Sequence, residues 1–322
     1  MLDVLRELKA AKGKILILTH HNADIDAVSS ALALQAGLMQ LGLSASIGVA
    51  ESIARAARQI AVGAKILVNP DCASFDTVIL VETSVPEQLA GVKNLRADII
   101  VDHHPPGPLV KRAKAVWIET KARSSAQMIY ALLKEMGCKI DKELAKIIAA
   151  GIVADTAHLR LARAEEFDVL LKLLRTGLGY SDVLAAITTP PDRSEIIACL
   201  KAATRAQLFG IDKLILAISK VKSHEAAAAR GLLKLGADIA IVAAVKEAEV
   251  RISSRSKEKV LQLGIDLAEI FAKIGEIIGG TGGGHALAGS ANGPNVKAAD
   301  AALNYALKTI AKKLSKPFRK LE

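Results

Sequence analysis

The chain has 322 residues, 51% of them hydrophobic but only 3% aromatic. That length suits two cores better than one, and so few rings disfavour a stacking platform for long single-stranded nucleic acid. The formal charge of +10 favours a polyanionic ligand without naming it. Part of that excess lies at Lys308, Lys312, Lys313, Lys316, Arg319 and Lys320, which read as a frayed helix end. Cys72, Cys138 and Cys199 are scattered and form no C-x-x-C, so no disulfide framework is expected, and a cytoplasmic location fits. The N-terminus reads as an amphipathic helix, and no apolar run approaches the ~20 residues of a membrane span.

In chain order, Lys14 to Leu18 reads as a buried strand that runs into Thr19-His20-His21-Asn22-Ala23-Asp24-Ile25-Asp26. A helix follows, with Val28, Ala31, Leu32, Leu34 and Leu38 at helical spacing until Gly42. Further strands are expected at Ser44 to Val49, Lys65 to Val68, Thr77 to Val81 and Asp98 to Val101, with a helix over Ser52 to Val62. Strands alternating with helices mean a parallel α/β sheet with right-handed crossovers. A mostly helical block then runs from Ser124 to about Thr188, with helices over Lys142 to Asp155 and Glu165 to Arg175.

Thr188-Thr189-Pro190-Pro191-Asp192 punctuates the chain. It divides an α/β domain over 1–188 from a linking helix in 189–209 (Ser194 to Leu208) and a smaller α/β domain over 210–322. The smaller domain is expected to have strands at Leu214 to Ile218, Asp238 to Val245 and Glu249 to Ser253. Its helices are Ser223 to Leu235 and Asp266 to Phe271, followed by a glycine loop and a closing helix.

Three strand ends carry acids or imidazoles. The first delivers His20, Asp24 and Asp26, the second Glu82, and the third Asp102, His103 and His104, after which Pro105 and Pro106 stop the strand. Asp155 interrupts the apolar run Ile147 to Ala154, where an unpaired carboxylate would be costly. Singly, each has a plain structural reading. Asp24 and Asp26 can cap the helix they precede, His20 can be a satisfied buried histidine, and Asp155 can be half of an ion pair. Together they have the ligand types for two divalent cations, Mn²⁺ before Mg²⁺, with Zn²⁺ or Co²⁺ open. Metal-assisted hydrolysis of a phosphate ester is the chemistry this implies.

These residues resemble the DHH phosphoesterases. His20-His21-Asn22-Ala23-Asp24-Ile25-Asp26 looks like the family's first motif, H-x-N-P-D-x-D, with Ala23 in place of proline. Asp102-His103-His104 is the motif that names the family, and Gly151-Ile152-Val153-Ala154-Asp155-Thr156 is similar to its fourth. The resemblance implies His20 and Asp24 on one metal, Asp26, His103 and Asp155 on the other, and the motif-two acid bridging them. It also implies His104 on the scissile phosphate or leaving group and Asp102 orienting a histidine. Glu82 departs from the family, which places aspartate at the bridge.

Further on, Gly279-Gly280-Thr281-Gly282-Gly283-Gly284-His285 resembles the G-G-G-H motif of the DHHA1 domain, and Ser253-Ser254-Arg255-Ser256 its S-x-R-S strand. So many glycines let backbone N–H groups approach an anion. The resemblance implies that Arg255, His285, Ser253 and the backbone of Gly282, Gly283 and Gly284 grip a phosphate or terminal nucleotide, across a cleft from the metals.

The compact form looks like nanoRNases, which act on short oligoribonucleotides and often on 3′-phosphoadenosine 5′-phosphate (pAp). A RecJ-like single-strand exonuclease, a cyclic-dinucleotide phosphodiesterase, a small-phosphate phosphatase or pyrophosphatase and a nucleotide-binding protein with decayed activity stay open, as does a homodimer.

Overall fold

A computed structural model describes residues 1–321 and folds the chain as two compact units, Met1–Thr189 and the residues from Pro190 onward. In the first unit, β1 (Ile15–Thr19), β2 (Ala45–Val49), β3 (Ile66–Val68), β4 (Thr77–Val81), β5 (Ile99–Asp102) and β6 (Ala115–Ile118) form one sheet. Every pairing is parallel, in the order β3-β2-β1-β4-β5-β6.

The central strands read as unbroken apolar runs because both of their faces are covered. Ile15, Ile17, Ile79, Val81, Ile99 and Val101 enter the core under the helices, and Leu16, Leu18, Val78, Leu80 and Ile100 enter the opposite one. The helices are α1 (Leu2–Ala10), α2 (Ile25–Gln40), α3 (Ser125–Glu135), α4 (Lys142–Asp155), α5 (Ala164–Leu174) and α6 (Tyr180–Ile187).

The opposite face is closed by short segments that bring in Cys72, Leu89 and Leu109. No helix spans Ser52 to Val62 as expected. Ile53 bridges to Ala23 in extended form, and only Arg55–Arg58 coils, as a 3-10 turn. Strand order reverses between β1 and β4. In such sheets that point opens a crevice at the carboxyl ends of the strands, where ligands bind.

The second unit contains α7 (Arg193–Thr204), β7 (Gln207–Ile211), β8 (Leu214–Val221), α8 (Glu225–Lys234), β9 (Ile239–Val245) and β10 (Val250–Ser256). It continues with α9 (Glu258–Leu261), α10 (Leu267–Ile277), β11 (Thr281–His285), β12 (Ala288–Gly293), α11 (Ala299–Lys313) and β13 (Phe318–Leu321). The mixed sheet runs β11-β12-β10-β9-β8-β7-β13, with β8 and β9 parallel. Phe271, Ile274 and Ile278 of the α10 region and Leu303 and Leu307 of α11 fill one face, and α8 supplies small residues to the other.

Three expectations change here. The helix read over Ser194 to Leu208 ends at Thr204, and its last residues start β7. The tail is not a frayed helix end, because after Lys313 the chain turns and Phe318–Leu321 pairs with β7. The glycine loop is a β-hairpin, β11 on β12.

That hairpin lies directly on α10. A Cβ on Gly282 would stand 1.9 Å from the carbonyl oxygen of Phe271. Gly282→Ala is therefore expected to cost about 3 kcal/mol by forcing backbone apart, read as a lower urea midpoint. An unchanged midpoint would show that α10 can retreat. Among the described residues, no helix is long and apolar enough to cross a membrane.

Candidate metal centre and phosphate-binding face

Five segments converge at the crevice. Beyond β1, Asp24 caps α2 by accepting from the Ala27 N–H at 3.0 Å, and Asp26 is buried in the first turn of that helix. Asp26 accepts the N–H groups of Ser125 (2.6 Å) and Ala126 (3.0 Å), so its carboxylate sits against the N-terminus of α3. α4 can pass this close because residue 151 is glycine. A Cβ there would stand 2.7 Å from Asp26 Oδ1 and 2.6 Å from the Ala126 Cβ.

Glu82 follows β4 with a left-handed φ of 67°, fixed by its N–H bond to the Val101 carbonyl. Such a backbone costs energy for a non-glycine residue and concentrates at functional sites. Asp102 ends β5 ahead of His103 and His104, and Asp155 is the last residue of α4.

Ligand atoms of Asp26, Glu82, His103 and Asp155 lie within 4.8 Å of one another, as do those of Glu82, His103 and His104. His103 Nε2 is 3.0 Å from Glu82 Oε1 and 3.4 Å from Asp155 Oδ2, while Nδ1 faces the Ala122 carbonyl at 3.2 Å. That carbonyl holds a proton on Nδ1 and leaves Nε2 to face the acids. His104 Nδ1 is 3.0 Å from Asp102 Oδ1 and 3.6 Å from Glu82 Oε1. The other Asp102 oxygen accepts from the Ser84 hydroxyl, which in turn accepts from the Gly107 N–H. Glu82 Oε2 is buried without a partner, and the Ser125 hydroxyl nearby lies outside hydrogen-bond geometry.

The charges are mutually dependent. Burial, then the charges of Glu82 and Asp155, push the Asp26 carboxyl well above its ordinary value. Burial, then Glu82, raises Asp155 to about 6. Burial opposes a charge on His103, but Glu82 outweighs it and lifts the imidazole to about 9. Burial likewise opposes ionisation of Glu82 and Asp102, yet bonds from His103 and His104 hold them below the ordinary range. The bond to Asp102 raises His104. A buried, unpaired carboxylate oxygen beside two protonatable acids and an imidazole is a donor set that could hold a metal ion.

His20 and Asp24 stand outside the four-residue group. His20 Nδ1 meets the His21 carbonyl at 2.8 Å, and one oxygen of Asp24 is committed to the cap. Asp24 is still close enough for its charge to raise both Asp26 and Asp155. Sequence reasoning missed Ser84, whose only signal is that it lies two residues past Glu82.

In the second unit, Arg251, Ser253 and Arg255 alternate along β10 and share a face with Ser290 and Asn292 of β12 and with Thr281, Gly283 and His285 of β11. Thr281, His285, Ser290 and Asn292 are exposed on that face. Gly282 and Gly284 point the other way, each against backbone that would exclude a Cβ. Arg255 donates to the Ser254 carbonyl at 2.7 Å.

Residues 14–152 match the profile of the DHH family, N-terminal domain, and residues 214–313 match the DHHA1 domain. An uncharacterised protein of Methanocaldococcus jannaschii, MJ0988, is 34% identical over 301 residues, 91% of this chain and 90% of that protein. The bifunctional oligoribonuclease and PAP phosphatase NrnA of Thermus thermophilus is 27% identical over 192 residues, 56% of this chain and 54% of that one. An exopolyphosphatase-related protein from Bacteroides fragilis shares the fold with a TM-score of 0.67 at 17% identity, over 98% of this chain and 97% of that one. His20 to Asp26, Glu82 and Asp102 to His104 fall in the first matched range and Ser253 to Ser256 and Gly279 to His285 in the second, with Asp155 three residues past the end of the first, and the chain belongs to the DHH/DHHA1 family of phosphoesterases.

Proposed function

We propose that this protein is a metal-dependent phosphodiesterase or phosphatase acting on short oligonucleotides or on a bisphosphorylated nucleotide such as pAp. One observation carries the reading: Asp26, Glu82, His103 and Asp155 converge within 4.8 Å while one Glu82 oxygen is buried with no donor. Three carboxylates and an imidazole suit Mn²⁺, with Mg²⁺ or Co²⁺ as substitutes. These four residues would hold one cation, and His20 with Asp24 would supply donors to a second. Bound cations supply Lewis acidity toward a phosphoryl oxygen and lower the pKa of a water.

The remaining work falls to the chain itself. Asp102 holds the His104 ring by Nδ1 and favours its charged form, so the half-exposed imidazole can give a proton to the leaving oxygen. In the second unit, Arg255, Ser253 and His285 grip phosphate or the terminal nucleotide, with the Gly282–Gly284 backbone beside them. Gly283 alone of those glycines faces the same side. The likeness to NrnA supports this substrate class.

An assay with Mn²⁺ on pApA, pAp, a five-mer, a thirty-mer and a cyclic dinucleotide tests the reading. Turnover confined to pApA, pAp and the five-mer is expected. Preference for the thirty-mer would replace it with a RecJ-like exonuclease, and preference for the cyclic substrate with a cyclic-dinucleotide phosphodiesterase. Saturable binding without turnover would select the decayed binding protein.

A further inference from the structure

The second unit holds a cavity of about 270 Å³ beside α11 and the β7–β8 hairpin, lined by Arg205, Gln207, Phe209, Lys220, Asp300 and Asn304. Residues paired across antiparallel strands point to one face. Gln207 pairs with Ile218 and Phe209 with Leu216, and both partners pack in the core beneath α11. Arg255 pairs with Ala240, which packs instead with Ala228, Ala229 and Leu232 of α8. The sheet therefore separates the cavity from Arg255.

Its walls offer three kinds of contact. Half-buried Phe209 meets Phe318 edge to face, with centroids 5.9 Å apart and planes at 82°, and Ile218 and Leu303 supply apolar surface beside it. Gln207 and Asn304 are exposed, and each side-chain amide carries two donors and an acceptor. Among the described residues, neither amide nor the Arg205 guanidinium has a hydrogen bond or an ion pair. Asp300 is held by Lys220 at 2.5 Å, so it does not neutralise Arg205. Lys320, paired with Phe209 across β13, adds a further positive charge on the same face.

We propose that this cavity is a binding site for one nucleoside monophosphate, on the opposite face of the sheet from the phosphate-binding residues of β10. An aromatic ring stacks on any base, carboxamides pair with the polar edge of a base, and a guanidinium fork takes phosphate oxygens bidentately. Phe209, the Gln207 and Asn304 amides and Arg205 provide these in one place, with Lys320 beside them. One ring over a cavity of about 270 Å³, at the small end for ligand pockets, suits a single base rather than a strand. The proposal goes beyond the function proposed above and rests on the cavity alone. Where that function holds, the ligand is of the class that hydrolysis of short oligonucleotides releases, and the site senses product.

Photolabelling of the full chain with 8-azido-AMP in the absence of divalent cations, followed by peptide mapping, tests the site. Label is expected on peptides that span 205–209 and 300–304, and AMP should compete for it where ribose 5-phosphate, which lacks the base, does not. Arg205→Glu and Phe209→Leu should each reduce that label roughly tenfold. Arg205 is exposed, so its variant reads the site even if Phe209→Leu loosens the sheet. Label confined to other segments, label at 205–209 and 300–304 unchanged in Arg205→Glu, or equal competition by ribose 5-phosphate would each overturn the proposal. A chain labelled at these segments that hydrolyses no nucleotide would sink the proposed function and leave the site standing.

Discussion

Removing the Glu82 carboxylate is expected to be the most damaging single change, with Glu82→Ala lowering kcat/KM on the order of a thousandfold. A residue that only orients a ligand typically costs about 10- to 100-fold, and Glu82 does more than orient. Its Oε1 lies 3.0 Å from His103 Nε2 and 3.6 Å from His104 Nδ1, and its charge raises Asp26, Asp155 and His103. Glu82→Asp answers whether the glutamate is a handicap. The backbone N–H is tied to Val101 and φ is fixed in the left-handed region, so the strand end cannot advance to compensate. Shortening the side chain by about 1.5 Å then withdraws its oxygens from His103, and activity should fall rather than rise. The check is kcat/KM beside bound Mn²⁺ per chain. A rise in both would show that the longer side chain impairs the site.

Glu82 also shows what a sequence can reveal about such a centre. An acid or histidine directly after a buried apolar run must leave the core at the carboxyl end of its strand, so Glu82, Asp102 and His103 were legible, as was Asp155 closing an apolar helix. Their convergence depends on strand order, which the alternation of strands and helices suggested without fixing. What stayed hidden acts over long separations. Asp26 is held by N–H groups 99 and 100 residues further on, and Gly151 is glycine because that same carboxylate occupies the space of its missing Cβ. Asp24 shows the reverse: the motif and the helix cap both read onto one residue, and the structure shows the cap, which occupies one of its oxygens.

The second sheet was harder to read than the first. β9 is an unbroken apolar run and β8 is apolar from Leu214 to Ile218, whereas the three central residues of β11 are glycines, which leave no side chains to show a two-residue alternation. Its strand character comes from pairing with β12 and from α10, against which a Cβ at Gly282 or Gly289 would collide. β13 hides inside a basic tail because an edge strand keeps its charges in water. β6 is partly exposed and lacks the buried run that marks β1, β4 and β5.

The second large effect is a proton-linked metal affinity. Without metal, protons must do part of the work of a cation. His103 is raised from 6.5 to about 9 and Asp155 from 3.8 to about 6, while Asp26 lies well above its ordinary value. A raised value in the folded chain stabilises it below the unfolded pKa, and this contribution is lost as pH rises through the folded one. The metal-free protein should therefore lose stability from about pH 4 to 6 through Asp155 and from about pH 6.5 to 9 through His103. A metal needs these donors deprotonated, so its affinity moves the opposite way, rising up to about tenfold per pH unit for each proton displaced. His103, raised to about 9, carries a proton between pH 6.5 and 8.5 that the cation must displace. Calorimetry of Mn²⁺ binding in buffers of different ionisation enthalpy should show proton release, and the Mn²⁺-induced rise in Tm should widen with pH. His103→Gln should reduce the slope over that interval. A Tm difference that stays flat across it would mean that the cation does not displace the His103 proton, and that the acids alone hold it.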